Sequence, residues 1–333
     1  RISDNTCSVN QSITVTQPAI LSADYDYANV SCNGNNDGII TVYNPGGGFG
    51  TYEVSIGSGW ISLIALYSFT GLGPGMYTIQ IRDAAHPTCE ITLGTVNLNQ
   101  PNQLVASASI TSPILCRGGT AIIQVTATGG TPPYSGTGNF TRTAGTYTFT
   151  VTDANGCSAS VTINVPQPPL LTASANVTTP VPCYGGTATI TLIGNGGTPP
   201  YSFTLNGNTN TTGIFTSITA GTYNWSVNDS HNCGPVSGTI TVTQPTALAL
   251  TSATVTTPIP CFGGTATVTI IASGGTSPYS YTFNSQTNNT GIFTGVAAGV
   301  NLPYSITDAN GCGPVTGTIT VTQPTALALT SAT

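Results

Sequence analysis

Cys183-Tyr-Gly-Gly-Thr-Ala-Thr-Ile-Thr-Leu-Ile193 runs almost directly into Gly196-Gly-Thr-Pro-Pro-Tyr201, and these two stretches decide the fold. The first alternates small polar with apolar side chains, the period of a strand with one wet and one buried face. The second is a turn built from Gly and Pro. The pair recurs as Cys116-Arg-Gly-Gly with Gly129-Gly-Thr-Pro-Pro-Tyr134, and as Cys261-Phe-Gly-Gly with Gly274-Gly-Thr-Ser-Pro-Tyr279. A looser copy joins Cys32-Asn-Gly to Gly46-Gly-Gly-Phe-Gly-Thr-Tyr52. Further along each copy a strand opens at Tyr77, Tyr147 and Tyr223, with Tyr304 in a degraded version. It closes on Asp and a second Cys, most clearly in Val151-Thr-Asp-Ala-Asn-Gly-Cys157 and Ile306-Thr-Asp-Ala-Asn-Gly-Cys312.

Gln-Pro punctuates the series at 17–18, 100–101, 167–168, 244–245 and 323–324. A repeat of this length sets the architecture. The frame reads as the end of a truncated repeat over 1–18, a divergent repeat over 19–101, repeats over 102–168, 169–245 and 246–324, and the opening of another over 325–333. Thr325–Thr333 is identical to Thr246–Thr254, so the chain is expected to be a window on a longer polymer. Each repeat has room for about six or seven short strands with turns roughly every 8–12 residues. The predicted class is all-β: tandem immunoglobulin-like β-sandwiches with one disulfide each. Joins such as Thr241-Val-Thr-Gln-Pro-Thr-Ala-Leu-Ala-Leu250 carry no Gly/Ser spacer, and Pro restrains itself and its predecessor. A semi-rigid rod is expected from such joins.

Composition narrows the function. Charged residues make up 4% of the 333, against about 25% in ordinary domains. The net charge is −6 with no Lys. Nucleic acid needs clustered cations on phosphates, and anionic membrane surfaces need the same. No apolar run reaches the roughly 20 residues that span a bilayer. Catalysis lacks parts: His86 and His231 fall in different repeats, and neither sits beside a nucleophile. The chain reads as a non-enzyme without cofactor.

Nine cysteines sort by the repeat frame into Cys32–Cys89, Cys116–Cys157, Cys183–Cys233 and Cys261–Cys312. Cys7 is left to pair upstream of the window. Each such staple is expected to stabilise its repeat by about 4 kcal/mol on a chain-entropy model, and disulfides imply an oxidising, extracellular setting. Zinc would want closely spaced ligand pairs, which are missing.

The recurring Asp83, Asp153, Asp229 and Asp308 admit two readings, a calcium ligand or an Asx turn closed by Gly. Asp24, Asp26 and Asp37 form the densest acidic group and are the candidates for a bound cation, calcium being the ion considered. The Gly-x-Tyr element is either a tyrosine corner, with the phenol bonding nearby backbone, or a half-buried strand residue. Trp225, inside the alternating run Tyr223–Val227, is expected in the core. Tyr25, Tyr27, Trp60 and Tyr67 could instead stack on sugars if exposed.

The combined string Cys-x-Gly-Gly, Gly-Gly-Thr-Pro-Pro-Tyr, Ala-Gly-Thr-Tyr, Val-Thr-Asp-Ala-Asn-Gly-Cys and Gln-Pro resembles the SprB-type repeat of very large surface adhesins of gliding Bacteroidetes. Ser31-Cys32-Asn-Gly-Asn-Asn-Asp-Gly-Ile-Ile-Thr-Val42 resembles that family's opening strand, whereas later repeats carry Thr-Ala where Asp-Gly is expected. The resemblance implies an exported cell-surface protein, sent out by a type IX pathway and serving adhesion or gliding motility. Its partners would be neighbouring repeats, laterally or filamentously associated chains, surface polysaccharide or other cells. Glycan-binding modules and accessory domains of a secreted enzyme are the competing functions.

Overall fold

The computed structural model describes residues 2, 3, 8, 9 and 11–328. Cys7 lies outside them, as does part of the predicted opening over 325–333. The strand pairings are all antiparallel, and contacts divide the chain into two compact units. The first unit comprises residues 1–114 and 118–166; the second comprises 115–117 and 167–333.

The first unit holds two β-sandwiches. One packs the sheet Ser22–Ala28, Gly38–Gly46, Leu66–Leu72 against the sheet Ile61–Leu63, Tyr52–Ser55, Gly75–Asp83, Glu90–Leu98. The other packs Val105–Ser112, Ala121–Thr128, Gly138–Arg142 against the pair Gly145–Thr152, Ser158–Val165. In the second unit, Thr172–Thr179, Ala188–Asn195, Ile214–Ile218 face Asn208–Asn210, Ser202–Leu205, Gly221–Asn228, Val236–Val242. Its second sandwich repeats that order with Ala249–Thr257, Ala266–Ser273, Ile292–Val296 and Gln286–Asn288, Ser280–Phe283, Gly299–Thr307, Val315–Val321.

The alternation read in the sequence sets the burial. Ala188, Ile190 and Leu192 point inward while Ile193 stays exposed, and Phe203, Leu205 and Val227 meet them from the facing sheet. Each fully buried aliphatic of this kind contributes roughly 1.5–3 kcal/mol. Thr fills the outer face, where hydroxyls pair across strands, as in Thr148 with Thr162 and Thr150 with Ser160. Trp225 packs on the core as expected. The repeat over 102–168 departs from its siblings. It lacks the hairpin seen at Ser202–Asn210, retaining only a bridge between Ser135 and Thr152, because nine fewer residues separate its first and second cysteines than in the next repeat.

Candidate functional site

The recurring Asp is the keystone of one end of each sandwich. Asp153 is buried and accepts N–H groups from Thr131 (2.8 Å), Asn155 (2.9 Å) and Cys157 (2.9 Å). Asp229 and Asp308 repeat the set through Thr198, His231 and Cys233, and through Thr276, Asn310 and Cys312. In Asp83 the donors are Phe49, Ala85 and His86. Burial of Asp153, Asp229 and Asp308 opposes their ionisation, but the converging N–H dipoles outweigh it and hold each carboxyl below its ordinary range. For Asp83 the Phe49 N–H is the leading cause of the same lowering. These oxygens serve the backbone turn, the second of the two readings.

The second glycine of each Gly-Gly pair makes room for this carboxylate, while the first faces a backbone carbonyl of the entering chain, Gln103 O in the case of Gly129. Gly130 has φ +58°, and a Cβ there would lie 2.6 Å from Asp153 Oδ2. The following Tyr locks the same turn: Tyr134, Tyr201 and Tyr279 each donate to the carbonyl of the first glycine, Gly129, Gly196 and Gly274. The sequence reading did not find this second corner, though its signal, Tyr five residues after the first Gly, was in view. The Gly-x-Tyr corner also exists: Tyr77 donates to Gly73 O and Tyr223 to Thr219 O. Tyr304 departs from it and is buried.

At the opposite end sits the Cys-x-Gly-Gly turn. Gly34 N donates to Gln100 Oε1 at 2.7 Å, Gly185 N to Gln244 Oε1 at 2.7 Å and Gly263 N to Gln323 Oε1 at 2.9 Å. The Gln of Gln-Pro therefore fixes the exit of the chain beside the first cysteine. Entry is fixed beside the second: Gly130 N donates to Asn102 O, and Gly275 N to Thr246 O.

This geometry overturns the in-repeat pairing. Cys116 precedes the strand Ala121–Thr128 and Cys157 lies beyond its far end, and eight strand residues span about 26 Å. A disulfide needs Cα atoms about 4.4–6.8 Å apart. Cys32–Cys89, Cys116–Cys157, Cys183–Cys233 and Cys261–Cys312 are therefore not bonded. The bonds run from the first cysteine of one repeat to the second of the next: Cys32–Cys157, Cys116–Cys233 and Cys183–Cys312, with Cα separations of 5.7, 5.4 and 5.6 Å. Cys32–Cys157 lies within the first unit. Cys116 belongs, with Leu115 and Arg117, to the second unit, which holds the other two bonds. Cys89 and Cys261 are free and exposed.

The Asn of Asp-Ala-Asn-Gly serves the same joints. Asn155 Nδ2 donates to Ser31 O at 2.9 Å, and Asn310 Nδ2 to Pro182 O at 2.9 Å, the residue before each first cysteine.

The structure does not gather the candidate cation ligands. Asp37 binds Ser31 through its N–H and hydroxyl, which lowers its pKa. Asp26 accepts from Tyr43 OH and Asp24 from Asn44 Nδ2, both at 2.9 Å. Among the described residues no group of three or more His, Cys, Asp or Glu side chains is placed to hold a metal. The aromatics of the first sandwich do not form one platform: Tyr25 and Tyr67 pack on its core, Arg82 covers Trp60 at 4.4 Å, and Tyr27 is 54% exposed. Among the described residues no helix is long and apolar enough to cross a membrane.

The SprB repeat model matches two segments, residues 175–210 and 253–288. They are equivalent stretches of successive repeats, from the first strand to the hairpin. No curated protein matches the chain. Among solved structures, the chain is similar to invasin, described as a bacterial integrin-binding protein (14% identity, 90% of this chain, 79% of that one, TM-score 0.33). It is also similar to a C-terminal fragment of intimin in complex with its receptor's intimin-binding domain (16%, 50% and 70%, TM-score 0.28). A third is domains 1–6 of the surface layer protein SbsC (15%, 91% and 55%, TM-score 0.26). All three TM-scores are below those of chains that share one overall arrangement.

Proposed function

We propose that this chain is a structural and adhesive segment of a long extracellular surface protein, an attachment or gliding adhesin whose repeats are linked covalently one to the next. The repeats of this reading run 19–101, 102–168, 169–245 and 246–324. The recurrence of one joint chemistry carries it, at Cys32–Cys157, Cys116–Cys233 and Cys183–Cys312. A repeat that bonds its successor is a device for building length, and disulfides of this kind persist only in oxidising compartments. The SprB match over two repeats points to the same setting. Uncharged, Thr-rich outer faces suit contact with neutral surface polysaccharide or with neighbouring chains, the partners of this reading.

Immunogold electron microscopy of intact source cells, with antibodies raised to the oxidised chain, tests it. Labelled fibres projecting from the surface are expected. Label confined to the cell interior would overturn the reading.

A further inference from the structure

We propose that the repeat over 102–168 takes up an extended strand of a partner protein along the open edge of Gly145–Thr152, with an acidic side chain of that strand meeting Arg142. Such a contact gives the chain a binding site in one repeat, separate from its disulfide joints.

In the other three repeats the latter half of this edge is covered. Tyr52–Ser55 pairs with Gly75–Asp83, Ser202–Leu205 with Gly221–Asn228, and Ser280–Phe283 with Gly299–Thr307. Past these pairs Asn206 N donates to Asn224 O at 2.8 Å, and Asn284 N to Pro303 O at 2.9 Å. In the repeat over 102–168 Ser135 alone remains, exchanging both backbone bonds with Thr152. Alternate residues of an antiparallel strand address opposite neighbours, so Thr150, Thr148 and Thr146 aim their amides and carbonyls at the same edge as Thr152. Gly136 packs so close to the Thr150 carbonyl that a Cβ would collide with it. The open stretch therefore runs from Thr148 back to Gly145. Thr146 and Thr148 are exposed, and among the described residues no backbone partner faces them on this side.

The edge also lacks the devices that keep exposed strands apart. Natural edges are blunted by Lys, Pro, inward charge or bulges. Gly145–Thr152 contains no Pro and no charged residue, and it pairs with Ser158–Val165 over eight successive positions without a register shift. The equivalent ladders of the first and last repeats are interrupted, between Ile79 and Gln80 and between Gly299 and Leu302.

Arg142 selects the occupant. It stands opposite Ala121, where Ile218 and Val296 stand opposite Ala188 and Ala266 in the later repeats. Its guanidinium lies 5.7, 5.5 and 5.7 Å from the ring centres of Phe140, Tyr147 and Phe149, and it donates to the Thr141 carbonyl. Among the described residues the single ion pair is Arg82–Glu53, so Arg142 has no carboxylate. Tyr147 and Phe149 are the core-facing residues of the open edge, and an Asp or Glu on the same face of an added strand would approach the guanidinium. Opposite charges across an antiparallel pair are favourable and like charges are not. Two copies paired across Thr148 would set both Arg142 side chains beside the same rings, which favours an acidic partner over self-pairing. The strand that fits alternates outward hydroxyls with inward apolar side chains, as Ser202–Leu205 does, and carries one inward carboxylate.

The test uses the full oxidised chain and the end-blocked heptapeptide Thr-Val-Thr-Glu-Thr-Val-Thr, with Thr-Val-Thr-Arg-Thr-Val-Thr as the control. Amide hydrogen exchange is followed by NMR. At saturation the Glu peptide is expected to slow exchange of the Thr146 and Thr148 amides at least about tenfold. The Ser226 amide, whose edge Thr204 already covers, should be unchanged. The Arg peptide should bind at least about fivefold more weakly, and Arg142→Glu should reverse that order. Thr148→Pro removes an edge N–H that lies outside the ladder to Ser158–Val165. It should abolish the protection while far-UV circular dichroism shows the fold retained. Equal affinity for the two peptides, unaltered exchange at Thr146 and Thr148 with either peptide at millimolar concentration, or self-association of the chain through this edge would overturn the inference.

Discussion

A single carboxylate organises each sandwich end. Asp153, Asp229 and Asp308 have folded-state pKa values below the ordinary one, and an unfolded Asp titrates near 3.9. A depressed folded pKa gives stabilisation that is complete above the unfolded value and is lost as pH falls through the folded one. Thermal melts should therefore be flat from pH 7 to about 5 and fall steeply below about 4. A midpoint unchanged down to pH 3 would contradict the assignment. Asp153→Asn places an NH2 group where an oxygen accepted N–H donors, and should lower the midpoint of its repeat by about 5–10 °C at pH 7. Gly130→Ala meets the same oxygen from the other side, at positive φ. It should destabilise by at least about 1–2 kcal/mol in denaturant titration, the cost of left-handed backbone alone.

Hairpins show how much an element depends on its turn. Leu205-Asn206-Gly207-Asn208 turns with φ of 48° and 89° at its central residues, the conformation Asn-Gly favours. The equivalent Phe283-Asn284-Ser285-Gln286 holds Ser285 at φ 69°, where a Cβ is unfavourable. The flanking hydroxyl pairs match, Thr204 with Thr209 and Thr282 with Thr287, both at 2.9 Å. Ser285→Gly should therefore stabilise the last repeat by about 0.5–1 kcal/mol, measured as a shift in denaturation midpoint; a loss of stability would refute the strain. The strands themselves were legible in the sequence. Alternation marked Ala188–Asn195 and its equivalents, and the Gly/Pro turns marked their ends. The loss of a hairpin from the repeat over 102–168 was hidden, because the two cysteines and both glycine motifs survive around the deletion. Roles for Gln100, Gln244 and Asn155 were hidden too. Their partners are backbone atoms distant in the chain, which periodicity does not report.

For the whole molecule the decisive quantity is which end of a sandwich each cysteine occupies. Sequence frame alone placed two cysteines in every repeat and suggested that they meet; the length of the intervening strand separates them. The consequence is mechanical. In the observed pairing a load applied at the termini passes from Cys32 to Cys157 and from Cys183 to Cys312, so most residues lie in loops outside the covalent path. About 80 residues remain in that path, roughly 280 Å when fully extended, against roughly 1,150 Å for the reduced chain. In-repeat bonds would instead leave roughly 480 Å. Single-molecule stretching should give the shortest of these lengths for oxidised protein and the longest after reduction. The overlapping Cys116–Cys233 bond is not on the shortest path, so removing both of its cysteines should leave the oxidised length unchanged. Removing Cys183 breaks the second shortcut, and the load then detours through Cys157, Cys116 and Cys233. That variant should lengthen by roughly 330 Å, and an oxidised length unaffected by it would rule out the staggered bonding on which the joints depend.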